Sequence, residues 1–405
     1  MKLSIRDYQG VSFSFDVLAL YCNRLLIQFG FGVVGIFEVI FLFNQFDSNI
    51  PLVALIYASI FLLSVILTPF GAMLISLFGM KRLMILSIPF AFCSILSLFL
   101  WDLNPLLALF GLIFSTVIYK TLYWVPYHVD FAKFSDKKTR GRQLSILLAV
   151  SEIVTIITPL IGGAIITASG YSNLFIVSLG ILLFAVIPLF FIQEKYETFS
   201  YSYWETYTEL FSKKNRSLLL GYTGDGAQSG VTLLVWPIFI FMLLRGEYLV
   251  VGAISSITIL ALLVLRFVVG DLVDRWSRKK VLTIGTLLNT TGWLVKVFIE
   301  TGFQIFIIDT YHGLGKVVNQ MSVDVTTYNQ ATDNGHYIDE FTVLKEMAVN
   351  AGKTLILLVV GVVIFFYSLK VAFVIAAVAS LFVTLLNKEM MVGEKKLIVP
   401  EGVRQ

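Results

Sequence analysis

Long apolar runs of about 20 residues recur along the whole chain, with only short polar connectors between them. Wound as an α-helix, a run of this length crosses the hydrocarbon core of a lipid bilayer. Hydrophobic residues make up 58% of the 405 residues and charged residues only 14%, whereas ordinary soluble domains hold about 25% charged residues. A soluble chain of this length could not bury so much apolar surface. The pattern therefore predicts an all-α integral membrane protein.

Twelve of these runs are long enough to be counted as transmembrane helices. The first six spans are predicted near residues 18–43, 52–74, 83–100, 106–127, 144–168 and 174–192. The second six are predicted near residues 218–244, 249–269, 281–299, 303–323, 343–367 and 371–386.

The longest polar stretch, QEKYETFSYSYWETYTELFSKKNRS, separates the two sets of spans. Its aromatic residues alternate with charged ones, which is typical of an amphipathic helix at a membrane surface. We therefore expect three parts: a six-helix bundle at residues 1–193, a cytoplasmic linker with an amphipathic helix at 194–216, and a second six-helix bundle with a short cytoplasmic tail at 217–405.

Lysine and arginine are concentrated in alternate connectors, at residues 81–82, 133–142, 213–216 and 275–280. The opposite connectors NQFDSNI, WDLNP and SGYSN contain neither residue. Because cytoplasmic loops carry the excess of these cations, both termini are expected in the cytoplasm. The expected location is a cell membrane, of the bacterial inner-membrane kind, which the chain crosses several times.

Several classes of function are disfavoured by the composition. The net charge of +4 is spread over connectors, so no nucleic-acid partner is expected. Cys22 and Cys93 both lie inside apolar runs, which suggests neither a disulfide framework nor a metal site. The sequence contains no HExxH, GxSxG or Walker motif. We therefore expect a protein that is not an enzyme and has no cofactor and no metal.

The chain shows a weak internal repeat. Aligning Ser135-Asp136 with Thr332-Asp333 brings the fifth and eleventh spans into register without a gap. Two six-helix halves related by duplication are typical of secondary transporters.

The stretch GDLVDRWSRKK, which follows the eighth span, matches the pattern G-x-L-x-D-R-x-x-R-K. This stretch resembles the signature loop of the major facilitator superfamily. The resemblance implies twelve transmembrane helices in two pseudo-symmetric six-helix bundles that open alternately to the two sides of the membrane. It also implies a gating loop, formed by Gly270, Asp274, Arg275, Arg278 and Lys279.

Two other stretches match the family pattern only in part. The first-half copy of the loop, GAMLISLFGMKR, has Ile75 and Ser76 where the family has an acid and an arginine. The stretch TPLIGG in the fifth span resembles the P-x-x-G-G end of a family motif, with Pro159 expected to bend the helix. Gly162 and Gly163 would allow close helix packing.

The resemblance implies that spans 1, 4, 7 and 10 line a central cavity. At about 100° per residue, each of these four spans independently carries a polar stripe, as expected for a face that contacts water inside the membrane. We therefore expect the substrate-binding residues to be Arg24, Gln28, Lys120, Tyr123, Trp124, Tyr127, Asp225, Gln228, Trp236, His312, Lys316 and Gln320.

Four charged residues, Arg24, Lys120, Asp225 and Lys316, are predicted near the middle of the membrane. A charge there costs several kcal/mol, and three interpretations stay open. Arg24 or Lys316 pairs with Asp225 and holds a closed state, or the excess of cations binds an anionic substrate, or these side chains snorkel.

The leading functional hypothesis is a monomeric, proton-coupled secondary transporter of a small molecule in the lipid bilayer. Asp225, Asp309 and His312 are the candidates for carrying the coupling protons. A multidrug–proton antiporter is an alternative that would rely on Phe31, Trp124 and Trp236. A non-transporting sensor on the same fold is a further alternative.

Overall fold

The structure, a computed structural model, describes residues 14–134, 140–196, 199–273, 277–332 and 338–386, with side chains except at 128–148, 267–268, 270–273, 278–279 and 320–339. All regular secondary structure in these ranges is helical. The α-helices are α1 (Phe15–Gln45), α2 (Ile50–Phe78), α3 (Met80–Phe99), α4 (Pro105–Phe134), α5 (Arg140–Ala185), α6 (Tyr203–Leu210), α7 (Arg216–Leu243), α8 (Tyr248–Val273), α9 (Arg278–Lys296), α10 (Gly302–Thr332), α11 (Ile338–Val363) and α12 (Val371–Leu381). Short 3₁₀ helices follow α5 at Ile187–Phe191 and α12 at Phe382–Leu386.

Each of the twelve predicted spans overlaps a helix for most of its length, which confirms the all-α membrane architecture. The long helix α5 contains the fifth span and most of the sixth, whereas α6 belongs to the linker. Within the described residues, eight helical segments are long and apolar enough to cross a membrane by length and composition. The polar helices α9 and α10 and the short helix α12 are the exceptions.

Glycine residues make two of the sharp turns between spans. Gly170 interrupts α5 with a φ of +82°, a left-handed conformation that glycine adopts without a steric penalty. Gly79 has a φ of +81° between α2 and α3, and a Cβ at this position would collide with the carboxylate of Glu194. The carboxylate of Glu194 also accepts the backbone N–H of Lys81 and pairs with Arg82 at 3.5 Å. The first-half loop is thus bound to the end of its own bundle.

Helix contacts repeat between the two halves of the chain. In the first half α1 packs against α5, α2 against α4 and α3 against α4. In the second half the equivalent pairs are α7 with α11, α8 with α10 and α9 with α10. The halves meet along two equivalent seams, α2 with α11 and α5 with α8, and also where α1 meets α7. This arrangement is the pseudo-symmetric pair of six-helix bundles that the sequence predicts.

Small residues bring α7 and α11 unusually close. A Cβ at Gly226 would collide with the carbonyl oxygen of Val349, and a Cβ at Gly352 would collide with that of Thr223. Close approach of this kind is how helices associate in a membrane, where lipid removes the hydrophobic drive for association. It fixes the rotation of α11 relative to α7 and therefore the direction of the polar side chains that α11 carries.

The linker helix α6 lies across the ends of α2 and α11. It begins with a capping box formed by Ser202 and Glu205. The hydroxyl groups of Tyr203 and Tyr207 donate to the carbonyl of Ile66 on α2. We call the end of the molecule that carries α6 the linker end, and the end that carries the α1–α2 turn the opposite end.

Candidate functional site

Arg24 lies between α1 and α4, where its guanidinium group stacks on aromatic rings. The Cζ atom is 4.7 Å from the ring centroid of Trp124 and 5.7 Å from that of Tyr127. Cation–π contacts of this kind stabilise a desolvated cation. Arg24, Trp124 and Tyr127 are all partly buried, as is expected for the wall of a crevice between helices.

Lys120 on α4 extends toward α2 and across to α11. Its ammonium group lies 4.3 Å from the ring centroid of Phe61 and 3.5 Å from the side-chain oxygen of Asn350. Lys353 on α11 lies against the same ring, at 4.9 Å from its centroid. A lysine from each half of the molecule therefore contacts Phe61.

A second cluster of charges lies between α7, α10 and α11. Asp225, Lys316 and Lys345 line a cavity of about 30 Å³, together with Tyr222, Gln228 and Asn319. Lys353 interacts electrostatically with Glu346, Asp225 and Lys316, and Lys120 interacts with Lys353 and Glu346. These interactions join the two clusters into one charged band.

We call this band the crevice cluster, and it consists of Arg24, Lys120, Asp225, Lys316, Lys345, Glu346 and Lys353. Among these described side chains, five are cations and two are acids. Both halves contribute to the excess of positive charge: Lys120 and Lys353 meet at the ring of Phe61, and Lys316 and Lys345 line the cavity of the second half. Positive potential in a low-dielectric cleft concentrates anions.

Lys296 on α9 forms an ion pair with Asp309 on α10, with the nitrogen 2.7 Å from the carboxylate oxygen. The side chain of Lys296 is completely buried, and its ammonium group lies 3.6 Å from the centroid of Trp236 and 4.7 Å from that of Trp293. His312 packs against Trp293 with tilted rings whose centroids are 4.4 Å apart, and its Nδ1 atom is 3.8 Å from Asp309.

Gln228 links this buried cluster to the crevice cluster. Its side-chain oxygen accepts hydrogen bonds from Asn289 at 2.6 Å and from the indole N–H of Trp293 at 3.2 Å. Its amide nitrogen donates to the carboxylate of Asp225 at 3.1 Å. A continuous chain of contacts therefore runs from Asp225 at the crevice through Gln228 and Trp293 to His312.

Several predicted binding residues are buried inside one bundle. Tyr123 is fully buried, stacks between Tyr119 and Tyr127, and donates its hydroxyl to Asn23 at 2.9 Å. The amide of Gln28 donates to the backbone carbonyl of Ser151 at 3.0 Å and to the hydroxyl of Thr155 at 2.6 Å. These contacts orient α1 against α4 and α5.

In the second half, Gln228, Trp236 and His312 are 4%, 6% and 4% exposed, so little of each side chain is open to the crevice. Of the remaining predicted binding residues, Arg24, Lys120, Trp124, Tyr127, Asp225 and Lys316 lie in or beside the crevice cluster.

The α5–α8 seam contains the TPLIGG stretch and an ion pair. A Cβ at Gly163 would collide with the carbonyl of Tyr248 on α8, and one at Gly252 on α8 would collide with that of Pro159. Nearer the linker end, Arg266 on α8 pairs with Glu152 on α5. The seam thus combines close backbone contact with one charged contact between the halves.

Other predicted site residues lie outside the described residues in whole or in part. Asp274 and Arg275 of the gating loop are not described. For Gly270, Arg278 and Lys279 only the backbone is described. The side chain of Gln320 on α10 is also not described. The gating loop and the role of Gln320 stay predictions from the sequence.

Four charged residues of these clusters, Lys296, Lys345, Glu346 and Lys353, were not assigned a site role from the sequence. One signal was available: Glu346, Asn350 and Lys353 lie at spacings of four and three residues, so they share one face of α11.

Comparisons with known proteins agree with this fold. The sequence model described as Major Facilitator Superfamily matches residues 20–308. The Uncharacterized protein YqgE of Bacillus subtilis (strain 168) is 22% identical over 242 residues, which cover 57% of this chain and 55% of that protein. The chain therefore matches just over half the length of this curated relative.

Two solved structures have a similar fold over nearly the whole chain. A crystal structure of a mutant of the nucleoside transporter NupG has a TM-score of 0.69 and 13% identity, and the match covers 93% of this chain and 99% of that one. A POT family transporter in complex with 5-aminolevulinic acid has a TM-score of 0.71 and 12% identity, with 95% and 96% covered. At these identities the likeness establishes the shared fold.

Proposed function

The chain belongs to the Major Facilitator Superfamily, and from this premise we propose that it is a secondary active transporter that carries a small anionic solute by alternating access. It is a membrane protein that crosses the bilayer several times. We place the linker end in the cytoplasm because the lysine- and arginine-rich connectors lie there, and we propose that one chain is the working unit.

The excess of cations in the crevice cluster is the observation that carries this proposal. The cluster has five cations and two acids, contributed by both halves, and the cations Arg24, Lys120 and Lys353 lie against aromatic rings. A charged side chain inside a membrane costs several kcal/mol unless a partner or water compensates it. Carboxylate and phosphate oxygens are the ligands that form strong charge-assisted hydrogen bonds with such groups.

Alternating access is supported by the two seams between the halves. Near the opposite end, the side-chain amide of Asn44 on α1 donates to the hydroxyl of Tyr248 on α8 at 3.1 Å, and Gly361 on α11 lies beside Ala54 on α2. Helices that touch at such seams can rock as rigid bodies about a site between them. We propose that separation at these contacts opens the crevice to the opposite side.

We further propose that the transport is coupled to protons through Asp225 and His312. Asp225 lines the crevice cavity, and the contacts of Gln228 and Trp293 connect it to His312. Asp309 is the weaker candidate because it is held by Lys296, and breaking a buried ion pair leaves an uncompensated charge.

A multidrug antiporter would need open aromatic faces for apolar cations. The cations of this chain already lie against these rings: Arg24 stands over Trp124, and Lys296 stands over Trp236. Phe31 packs against Tyr119 at 5.2 Å between ring centroids. These contacts favour the anion transporter over the drug antiporter.

Uptake into proteoliposomes tests the proposal. The purified full chain is reconstituted, and entry of labelled acetate, glycerol 3-phosphate, glucose and ethidium is measured with and without an imposed proton gradient. We expect an anion to accumulate in response to the gradient, and the variants Lys120→Ala and Lys316→Ala to lose that uptake. Accumulation of ethidium that both variants retain would support the antiporter instead.

If none of the probes moves in response to the gradient but the protein still responds to ligand binding, the result supports the sensor alternative. Lys120 and Lys316 both contribute charge to the crevice. A variant of either residue that binds no solute but remains folded has lost the binding site and not the fold. Size-exclusion elution at the wild-type position checks the folded state.

A further inference from the structure

We propose that Lys120 and Lys353 together form an anion-binding subsite on the ring of Phe61, with Glu346 as the internal counter-ion that the bound anion displaces. The ligand class is a carboxylate or a phosphate group. The inference rests on the proposed transport of an anionic solute and adds to it a second anchoring lysine, contributed by α11.

The geometry brings the two ammonium groups to one ring from opposite halves of the molecule. Lys120 on α4 lies 4.3 Å from the centroid of Phe61, and Lys353 on α11 lies 4.9 Å from it. Phe61 itself is on α2, which packs against α4 on one side and α11 on the other. The subsite therefore lies on the α2–α11 seam.

Close helix packing fixes the position of each lysine. A Cβ at Gly71 on α2 would collide with the carbonyl oxygen of Thr121, so α2 and α4 are in backbone contact next to Lys120. A Cβ at Gly230 on α7 would lie 3.4 Å from the Cα of Lys353, so α7 and α11 are in ordinary contact at this lysine. Lys120 is thereby fixed to the first half and Lys353 to the second.

Electrostatics make the pair incomplete without an anion. Lys120 and Lys353 repel each other, and both are attracted by Glu346. Asp225 also attracts Lys353, so two acids face three lysines, Lys120, Lys353 and Lys316, and positive charge is in excess. An anion with two or more oxygens could accept hydrogen bonds from both ammonium groups at once, whereas a single lysine supplies only one ammonium group.

The space at the subsite indicates displacement of Glu346. Lys120, Glu346 and Asn350 line a pocket of about 10 Å³, which is room for one water molecule. Ser64 and Thr68 in the same pocket donate their hydroxyl groups to backbone carbonyls of α2. A pocket of this volume has no room for a carboxylate or phosphate group, and in the proposed subsite that group takes the place of the Glu346 carboxylate. Its binding would link the two halves through Lys120 and Lys353.

Inorganic phosphate is the probe for the test. The purified full chain in detergent is titrated with phosphate at constant ionic strength, balanced with sodium chloride, and the melting temperature is recorded. A ligand that binds only the folded protein raises this temperature with concentration. We expect a phosphate-dependent rise in the wild type and an apparent affinity about tenfold lower in Lys120→Gln and in Lys353→Gln, because each loses a charge-assisted hydrogen bond.

Two further variants make the assignment specific. Glu346→Gln should bind phosphate several-fold more tightly, since the competing carboxylate is gone, and Lys353→Arg should keep most of the phosphate-dependent rise. Lys370→Gln, at the start of α12 and outside the crevice cluster, is the matched control and should behave as the wild type.

A wild type with no phosphate-dependent shift overturns the proposal, as does a Lys353→Gln variant that binds like the wild type. An unchanged affinity in Glu346→Gln overturns the counter-ion role. Failure here is separable from failure of the proposed function. If Lys353→Gln retains uptake of an anion, the subsite is excluded but the proposed transport function stands. If phosphate binds but no anion is taken up, the subsite stands and the proposed transport function is excluded.

Discussion

Lys296 and Asp309 form a 2.7 Å ion pair inside the second bundle, and the ammonium group also lies 3.6 Å from the ring centroid of Trp236. This contact explains why α9 and α10 carry charges in a membrane. The carboxylate, the indole ring and the neighbouring Trp293 replace the water that the ammonium group has lost. Asp309 thus contributes to the packing of its own bundle, whereas Lys316 on the same helix belongs to the crevice cluster.

Replacement of Lys296 by methionine should strongly destabilise the protein. Methionine fills a similar volume but leaves Asp309 as a buried charge without its partner, which costs about 3–5 kcal/mol. The free energy of unfolding, measured by denaturant titration in detergent, should fall by that amount.

A double variant and a control decide whether the charge is the cause. Lys296→Met combined with Asp309→Leu removes both charges and should recover most of the lost stability. Lys370→Met, at the start of α12, should change stability by less than about 0.5 kcal/mol. A double variant as unstable as the single one would mean that the volume of the lysine side chain matters more than its charge.

Close packing of α7 on α11 gives a second prediction. In Gly352→Ala the new Cβ would meet the carbonyl oxygen of Thr223 and the backbone nitrogen of Ala227, both on α7. Overpacking of this kind costs about 1–3 kcal/mol, so the melting temperature should fall.

Gly180→Ala is the matched control for Gly352→Ala. Gly180 also lies inside a helix, but a Cβ there has nothing within 4 Å. Alanine should therefore be tolerated and could add about 0.5–1 kcal/mol through its better helix propensity. Equal losses at the two positions would show that helix packing is not the cause.

The sequence predicts the twelve spans well because hydropathy is a local property. The ends are less predictable, since a helix can continue past the bilayer: α10 begins at Gly302 as expected but ends at Thr332, beyond the predicted span. Gly170, with a φ of +82°, separates the fifth and sixth predicted spans within the segment Arg140–Ala185, in agreement with two spans.

The candidate site is less predictable because periodicity shows which residues share a face but not what that face contacts. Asp309 and His312 do share a face of α10, but that face meets Lys296 and Trp293 on α9. The spacing of Lys353 from Glu346 and Asn350 indicates a shared face of α11, but only the helix packing shows that this face meets Phe61. Partner assignments of this kind depend on contacts between residues far apart in the sequence.

Neutralising Asp225 should separate proton coupling from solute exchange. In Asp225→Asn the side chain keeps its shape and an oxygen that can accept the hydrogen bond from Gln228, but it can no longer gain or lose a proton. We expect gradient-driven accumulation of the anion in proteoliposomes to be lost, while exchange of labelled for unlabelled anion across the membrane persists. Persistence of both activities would remove Asp225 from the coupling mechanism.

The α2–α11 seam allows a direct test of alternating access. A Cβ at Gly361 would lie 3.5 Å from the Cβ of Ala54, which is within the range that a disulfide bond requires. In a background with Cys22 and Cys93 replaced by serine, the pair Ala54→Cys and Gly361→Cys should cross-link on oxidation and stop uptake, because the halves can no longer separate at the opposite end. Dithiothreitol should restore uptake. Each single cysteine variant, oxidised in the same way, should transport normally, and full uptake by the cross-linked protein would exclude movement at this seam.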